Sequence, residues 1–200
     1  MMHNYKSLIG ESTGTYKVKG SKFIAYSQPV LDEIDFKEKI NLIKKKHHDA
    51  RHFCYAYRLL PKGTNYRYND DGEPNNSAGK PILGQIDSFS LTYTLIVVVR
   101  YFGGTKLGVG GLIKAYKEAA KDAISNNKII TKEITSTFII KCNYSDMSFI
   151  MNLVKELKLT ILKKELEIHC KFEVDCPIKI KEELELKLKN RLLSYQELEV

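Results

Sequence analysis

The chain contains no run of about 18 apolar residues, which excludes a membrane-crossing helix of ordinary length. Its opening residues, Met1 to Lys6, lack the apolar core of about 7–15 residues that a secretory signal requires. The protein is therefore expected to fold in water and to stay in the cytoplasm. None of Cys54, Cys142, Cys170 and Cys176 forms a C-x-x-C pair, so neither a zinc knuckle nor a dithiol redox centre is indicated and the four read as buried thiols. There are no internal repeats and no low-complexity tracts. Nucleotide fingerprints are missing too. The glycines do not follow G-x-G-x-x-G, and the interval from Gly72 to Gly79-Lys80 is too long for a phosphate-binding P-loop. No Ser/His/Asp or Cys/His nucleophile set stands out. Lysine heavily outnumbers arginine, so basic charge by itself is weak evidence of a partner.

What remains is a chain of 200 residues, 43% hydrophobic and 28% charged, long enough for two small domains with separate cores. Its formal charge of +8 is lopsided. Residues 1–128 carry 20 Lys and Arg against 12 Asp and Glu, while residues 129–200 carry 12 against 12. A basic domain beside a neutral one points to a polyanion as partner of the first, although Lys-rich coding also produces basic surfaces.

Periodicity divides the chain in the same place. Thr13 to Gly20 and Ser21 to Ser27 alternate as two strands about a turn. From Asp32, the apolar residues Ile34, Phe36, Ile40 and Ile43 recur at helical spacing, with acids first and Lys44, Lys45 and Lys46 last, as a helix dipole favours. His52 to Leu60 reads as strand, Pro61 to Gly84 as a long loop around a further strand, and Thr92 to Tyr101 as a buried strand. Leu112, Ile113, Tyr116, Ala119, Ala120 and Ile124 then share a helical face, with a stop at Asn126-Asn127. Beyond residue 128 the order is strand (Thr135 to Cys142), helix (Ser145 to Leu157), hairpin (Thr160 to Asp175), helix (Pro177 to Asn190) and strand (Leu192 to Val200). That βαββαβ order is the ferredoxin-like plan. The expectation is an α+β protein with domains over 1–128 and 129–200.

Three blocks are unusual: Arg51-His-Phe-Cys-Tyr-Ala-Tyr-Arg58, Asp70-Asp-Gly-Glu-Pro-Asn-Asn-Ser-Ala-Gly-Lys-Pro81, and Val99-Arg-Tyr-Phe-Gly-Gly-Thr-Lys-Leu-Gly-Val-Gly-Gly-Leu-Ile-Lys-Ala-Tyr116. Together they resemble the signature of the IMPACT family, the bacterial YigZ-like proteins and their eukaryotic relatives. The resemblance runs over roughly residues 15 to 126. It implies a first domain with the βαβ sandwich of a ribosomal protein, as in domain IV of elongation factor G, and a second like that factor's domain V. It also implies a role in translational control, since eukaryotic members of the family act there. The chain departs from the family pattern at Asn75-Asn76-Ser77, where Ser-Gly-Thr is usual, and at Lys114, where Arg is usual.

Read for their chemistry, these blocks support several sites. Gly103, Gly104, Gly108, Gly110 and Gly111 link a buried strand to a helix and leave free amides at the helix start, an anion site to which Arg51, His52, Arg58, Arg100, Lys106 and Lys114 would add charge. The other reading is a crossover in which the glycines serve packing alone. Asp70, Asp71 and Glu73 could hold a hard cation such as Mg²⁺, or could fix a turn by bonding backbone amides and arginines. His52 could act as acid, base or phosphate donor, or sit hydrogen-bonded at a strand start. His48 and His52 lack a third ligand for zinc. Tyr55, Tyr57, Tyr66, Tyr68, Tyr93, Tyr101 and Phe102 among arginines suit base stacking, or equally a half-buried sheet. Three functions follow: binding of structured or ribosomal RNA, metal-dependent chemistry on a phosphorylated substrate, or a protein-interaction module in translational control.

Overall fold

The computed structural model describes residues 2–167 and 169–198. It divides into two compact units, one over Tyr5–Lys132 and the other from Glu133 onward together with the residues up to Asn4. Strand β1 (Asn4–Ile9), absent from the pattern reading, pairs with β7 (Lys128–Glu133) in a separate two-stranded sheet.

The larger unit is built on a five-stranded antiparallel sheet of β2 (Ser12–Val18), β3 (Ser21–Pro29), β4 (His52–Leu59), β5 (Asn65–Asn69) and β6 (Thr94–Tyr101), in the order β2-β3-β6-β4-β5. Because β6 lies between β3 and β4, those two run parallel and the connection through α1 (Glu33–Lys46) is a split βαβ crossover. Helix α1 starts where Asp32 places its carboxylate on the amides of Ile34 and Asp35, both at 2.8 Å. It lays Phe36, Ile40 and Ile43 against Tyr55, Tyr57, Leu95, Val97 and Val99 on one sheet face. The opposite face, with Phe23, Cys54, Ala56, Ile96 and Val98, is covered by α2 (Gly79–Ser88) and α3 (Gly108–Ser125). A central strand buried on both faces reads as a continuous apolar run, which is why Leu95 to Val99 shows no alternation.

The pattern reading needs two corrections in this unit. The segment taken as loop through Gly84 contains α2, whose apolar positions Ile82, Leu83 and Ile86 are too few to declare a helix beside Gly79, Pro81 and Gly84. Ile113 does not share the buried face of α3 but is 38% exposed. Tyr55 and Tyr57 are core residues, whereas Tyr66, Tyr68 and Phe102 are exposed.

The second unit has β8 (Thr135–Cys142), α4 (Met147–Glu156), β9 (Thr160–Leu166), β10 (Cys170–Pro177), α5 (Lys181–Asn190) and β11 (Ser194–Leu198). Its sheet order β11-β8-β10-β9 is that of a ferredoxin-like domain. Phe138, Ile140, Phe172 and Val174 from the sheet meet Ile150, Leu153, Leu184 and Leu188 from the helices. The last two positions of the expected closing strand, 199 and 200, lie outside the described residues.

Helix α3 sits directly on β2: a Cβ at Gly14 would stand 2.2 Å from the backbone nitrogen of Ala123. Gly14→Ala must therefore push α3 off the sheet. We expect a loss of about 1–3 kcal/mol in urea unfolding, the range for overpacked interiors; an unchanged midpoint would show that this contact is not required.

Candidate functional site

The start of the first unusual block, the acidic loop of the second and the glycine loop of the third meet at one end of the five-stranded sheet. The register sets His52 at the start of β4 opposite Arg100 near the end of β6, and Lys22 at the start of β3 opposite Tyr101. Strand β5 ends here as well, with Asn69 opposite Tyr55. The β2–β3 turn, the acidic loop after β5 and the glycine loop after β6 thus share this end. So do the C-terminus of α1, with Lys44, Lys45 and Lys46, and the N-termini of α2 and α3.

The acidic loop is tied inward. Asp70 accepts hydrogen bonds from the amides of Ala78 (2.9 Å) and Gly79 (2.8 Å) with one oxygen and from Asn76 (2.9 Å) with the other, so it caps α2 from eight residues upstream. Asp71, held at φ +41°, accepts from the amide of Phe53 at 2.6 Å, and its carbonyl lies 2.9 Å from His52 Nδ1. Glu73 is buried and accepts from Arg100 Nη1 at 2.5 Å and from the Tyr116 hydroxyl at 2.8 Å. These carboxylates meet protein donors, and among the described residues no three or more His, Cys, Asp or Glu side chains are grouped to hold a metal ion.

Around the Glu73–Arg100 pair the interior is closed. The Arg100 guanidinium lies between the rings of Phe23 and Phe102, 5.5 Å from each centroid. The Cys54 thiol is within bonding distance of the Asp70 carbonyl (3.0 Å) and the Tyr116 hydroxyl (3.2 Å). Burial drives the pKa of both Cys54 and Tyr116 far above their ordinary ranges, so Cys54 carries no thiolate for nucleophilic work. Tyr116 joins this centre as a residue the pattern reading assigned only to a helical face.

The glycine loop closes against the β2–β3 turn. A Cβ at Gly103 would fall 1.9 Å from the carbonyl carbon of Gly20, and the Gly103 amide donates to Ser21 Oγ at 3.1 Å. Gly104, Gly108 and Gly110 face open space, the first two at φ +87° and +70°. Helix α3 begins without a side-chain cap, and Lys106 and Lys114 are exposed beside its first turns. Gly111 packs on Leu107. Arg51 is exposed at the entry to β4. Arg58 is not part of this group: it lies six residues along β4, about 20 Å away at strand rise, where it bonds the Gly63 carbonyl and Asp87, each at 2.6 Å.

One histidine here escaped the pattern reading. His47, the C-cap of α1, is buried with Nε2 2.7 Å from the Tyr26 hydroxyl and Nδ1 2.8 Å from the Tyr101 hydroxyl. Tyr101 donates its proton to Asp49 at 2.9 Å, so it accepts from His47 Nδ1–H. In the neutral imidazole Nε2 then accepts from the Tyr26 hydroxyl. Burial, then Lys46, lower the pKa of His47, with Asp49 acting weakly in the other direction. A helix end rich in lysine gives no pattern signal for such a relay.

The model of the IMPACT N-terminal domain matches residues 19–124. The chain belongs to the IMPACT family. It is 32% identical over 173 residues to the IMPACT family member YvyE of Bacillus subtilis, covering 86% of this chain and 80% of that one. It is 29% identical over 163 residues to the IMPACT family member YigZ of Escherichia coli, covering 80% of each. A crystal structure of a hypothetical protein matches it with a TM-score of 0.76 and 28% identity, over 100% of this chain and 98% of that one. The matched span contains all three of the unusual blocks.

Two outcomes follow. Glu73→Ala leaves the Arg100 charge buried without a partner and should cost about 3–5 kcal/mol in chemical denaturation; a loss under about 1 kcal/mol would mean the pair is not needed to hold the loop. His47 has a folded pKa depressed below 6.5, so the stability it contributes is present above that pH and is lost as pH falls through the folded value. The urea midpoint of the wild type should then drop more between pH 7.5 and 5.5 than that of His47→Leu, and parallel drops would count against the neutral relay.

Proposed function

We propose that the larger unit is an RNA-binding module acting in translation or its regulation, and that it docks its basic sheet end on structured RNA such as that of the ribosome. The carrying observation is the set of exposed cations there. Lys19, Lys22, Lys44, Lys45, Arg51 and Lys106 have no carboxylate within ion-pair distance among the described residues. Exposed lysines elsewhere, such as Lys17, Lys62 and Lys117, also lack ion-pair partners among the described residues, so what marks this end is the convergence of six cations on one frame. Unpaired lysines on a rigid frame fit phosphates, whose contacts position a protein on RNA without reading bases. The role in translational control that the resemblance to the IMPACT family implies points in the same direction. With the acidic loop occupied by backbone amides and Arg100, this reading asks for no chemistry at the site.

The test is co-sedimentation with ribosomes and, separately, with free ribosomal RNA at about 50 and 200 mM salt, over which several phosphate contacts weaken binding by orders of magnitude. Lys106→Glu should weaken binding at low salt and lower the salt slope by about one contact. Association that ignores both salt and the charge reversal, or no association at either salt, would overturn the proposal.

A further inference from the structure

The glycine loop carries a feature that phosphate binding alone does not use. Phe102 is 58% exposed, although it follows a strand whose preceding residues, Leu95 to Arg100, are all buried. Its ring does not hang free. The Arg100 guanidinium lies 5.5 Å from its centroid on the protein side, and that guanidinium is itself seated on Phe23 and tied to the buried Glu73. The ring is therefore held from behind by a rigid layer while much of it stays open to solvent.

Its surroundings are cationic. Lys22, opposite Tyr101 in the register, shares the α1 face of the sheet with Tyr101, whereas Phe102 lies with Arg100 on the other face. The turn containing Lys19 and Gly20 is in contact with Gly103, the residue after Phe102. Lys106 follows four residues on, within about 14 Å along the chain. Lys19 and Lys106 are both exposed. An exposed aromatic ring backed by a guanidinium, with the exposed Lys19 and Lys106 on the adjoining turn and loop, has the composition of a stacking platform for single-stranded nucleic acid. A base pair inside a helix cannot offer its face to such a ring, because neighbouring pairs cover it.

We infer that Phe102 is the stacking platform for an unpaired RNA base, so that this end of the sheet selects RNA with an unstacked nucleotide flanked by phosphates over continuous duplex. The inference rests on the RNA-binding reading above and narrows its ligand. The lysines hold the phosphates on either side; the ring takes the base between them.

The chain contains no tryptophan, so Phe102→Trp places a single indole at the platform, and a stacked base quenches its fluorescence. The full-length variant would be titrated with a fluorescently labelled RNA hairpin that has an unpaired loop and with a blunt duplex of the same length, following both tryptophan emission and the anisotropy of the label at about 50 mM salt. We expect saturable quenching by the hairpin in step with the anisotropy, little quenching by the duplex, and a loss in hairpin affinity of about 5- to 100-fold for Phe102→Ala. Anisotropy that rises while the tryptophan stays unquenched, or equal quenching by both RNAs, would overturn the stacking inference and leave the RNA-binding reading in place. No anisotropy change with either RNA would remove that reading and this inference together.

Discussion

The organisation of the sheet end depends on one buried ion pair, Arg100 with Glu73. Arg100 belongs to the central strand, Glu73 to the loop after the edge strand, and Tyr116, which donates to the same carboxylate oxygen, to the long helix. One oxygen atom thus joins the sheet, the acidic loop and α3. A pair of this kind contributes little net stability compared with a well-packed apolar substitute, because both ions are taken out of water. What it does contribute is position. An uncompensated charge at either partner is so costly that the loop has few other places to lie, and the remaining acids of the loop, Asp70 and Asp71, then find their amides at the start of α2 and at β4.

That layering separates two roles that composition mixes together. The acids of the loop meet protein donors, and the two arginines Arg58 and Arg100 are paired with carboxylates of the same unit, Asp87 at the surface and Glu73 in the interior. The lysines of the same end are left outside. A rigid, internally neutralised floor with a mobile cationic rim follows from this division, and it explains how a surface rich in acidic residues by sequence can still present positive charge.

Much of the fold was legible because its signals are local. The acidic start and basic end of α1, the uninterrupted apolar run of β6 and the βαββαβ rhythm of the second unit each follow from periodicities that one segment displays by itself. The elements that stayed hidden depend on distant partners. Helix α2 begins at a carboxylate eight residues upstream and carries only a short apolar stripe, so nothing within Gly79 to Ser88 announces it. Strand β1 pairs with β7, more than a hundred residues away. For the site the division is the same. The three blocks were visible as unusual composition, but which residues of each turn inward could not be read: Arg100 and Arg58 look alike in sequence, and only the register places one at the glycine loop and the other at the far end of β4. His47 and Tyr116 were missed because each draws its role from side chains on other elements.

The scarcity of arginine then acquires a meaning. Arginine reads base edges and phosphates through a planar fork, whereas lysine offers a hydrated point charge on a flexible stem. With Arg58 and Arg100 engaged internally, the larger unit keeps only Arg51 and Arg67 exposed, and only Arg51 lies at the entry to β4. In the proposed complex the lysines of the rim would meet phosphates and so follow the shape of a backbone more than its sequence. Selectivity in that complex would come from a rigid group, and the exposed ring of Phe102 is backed by Arg100 and through it by Glu73, so the buried ion pair that orders the loop also backs the proposed base platform.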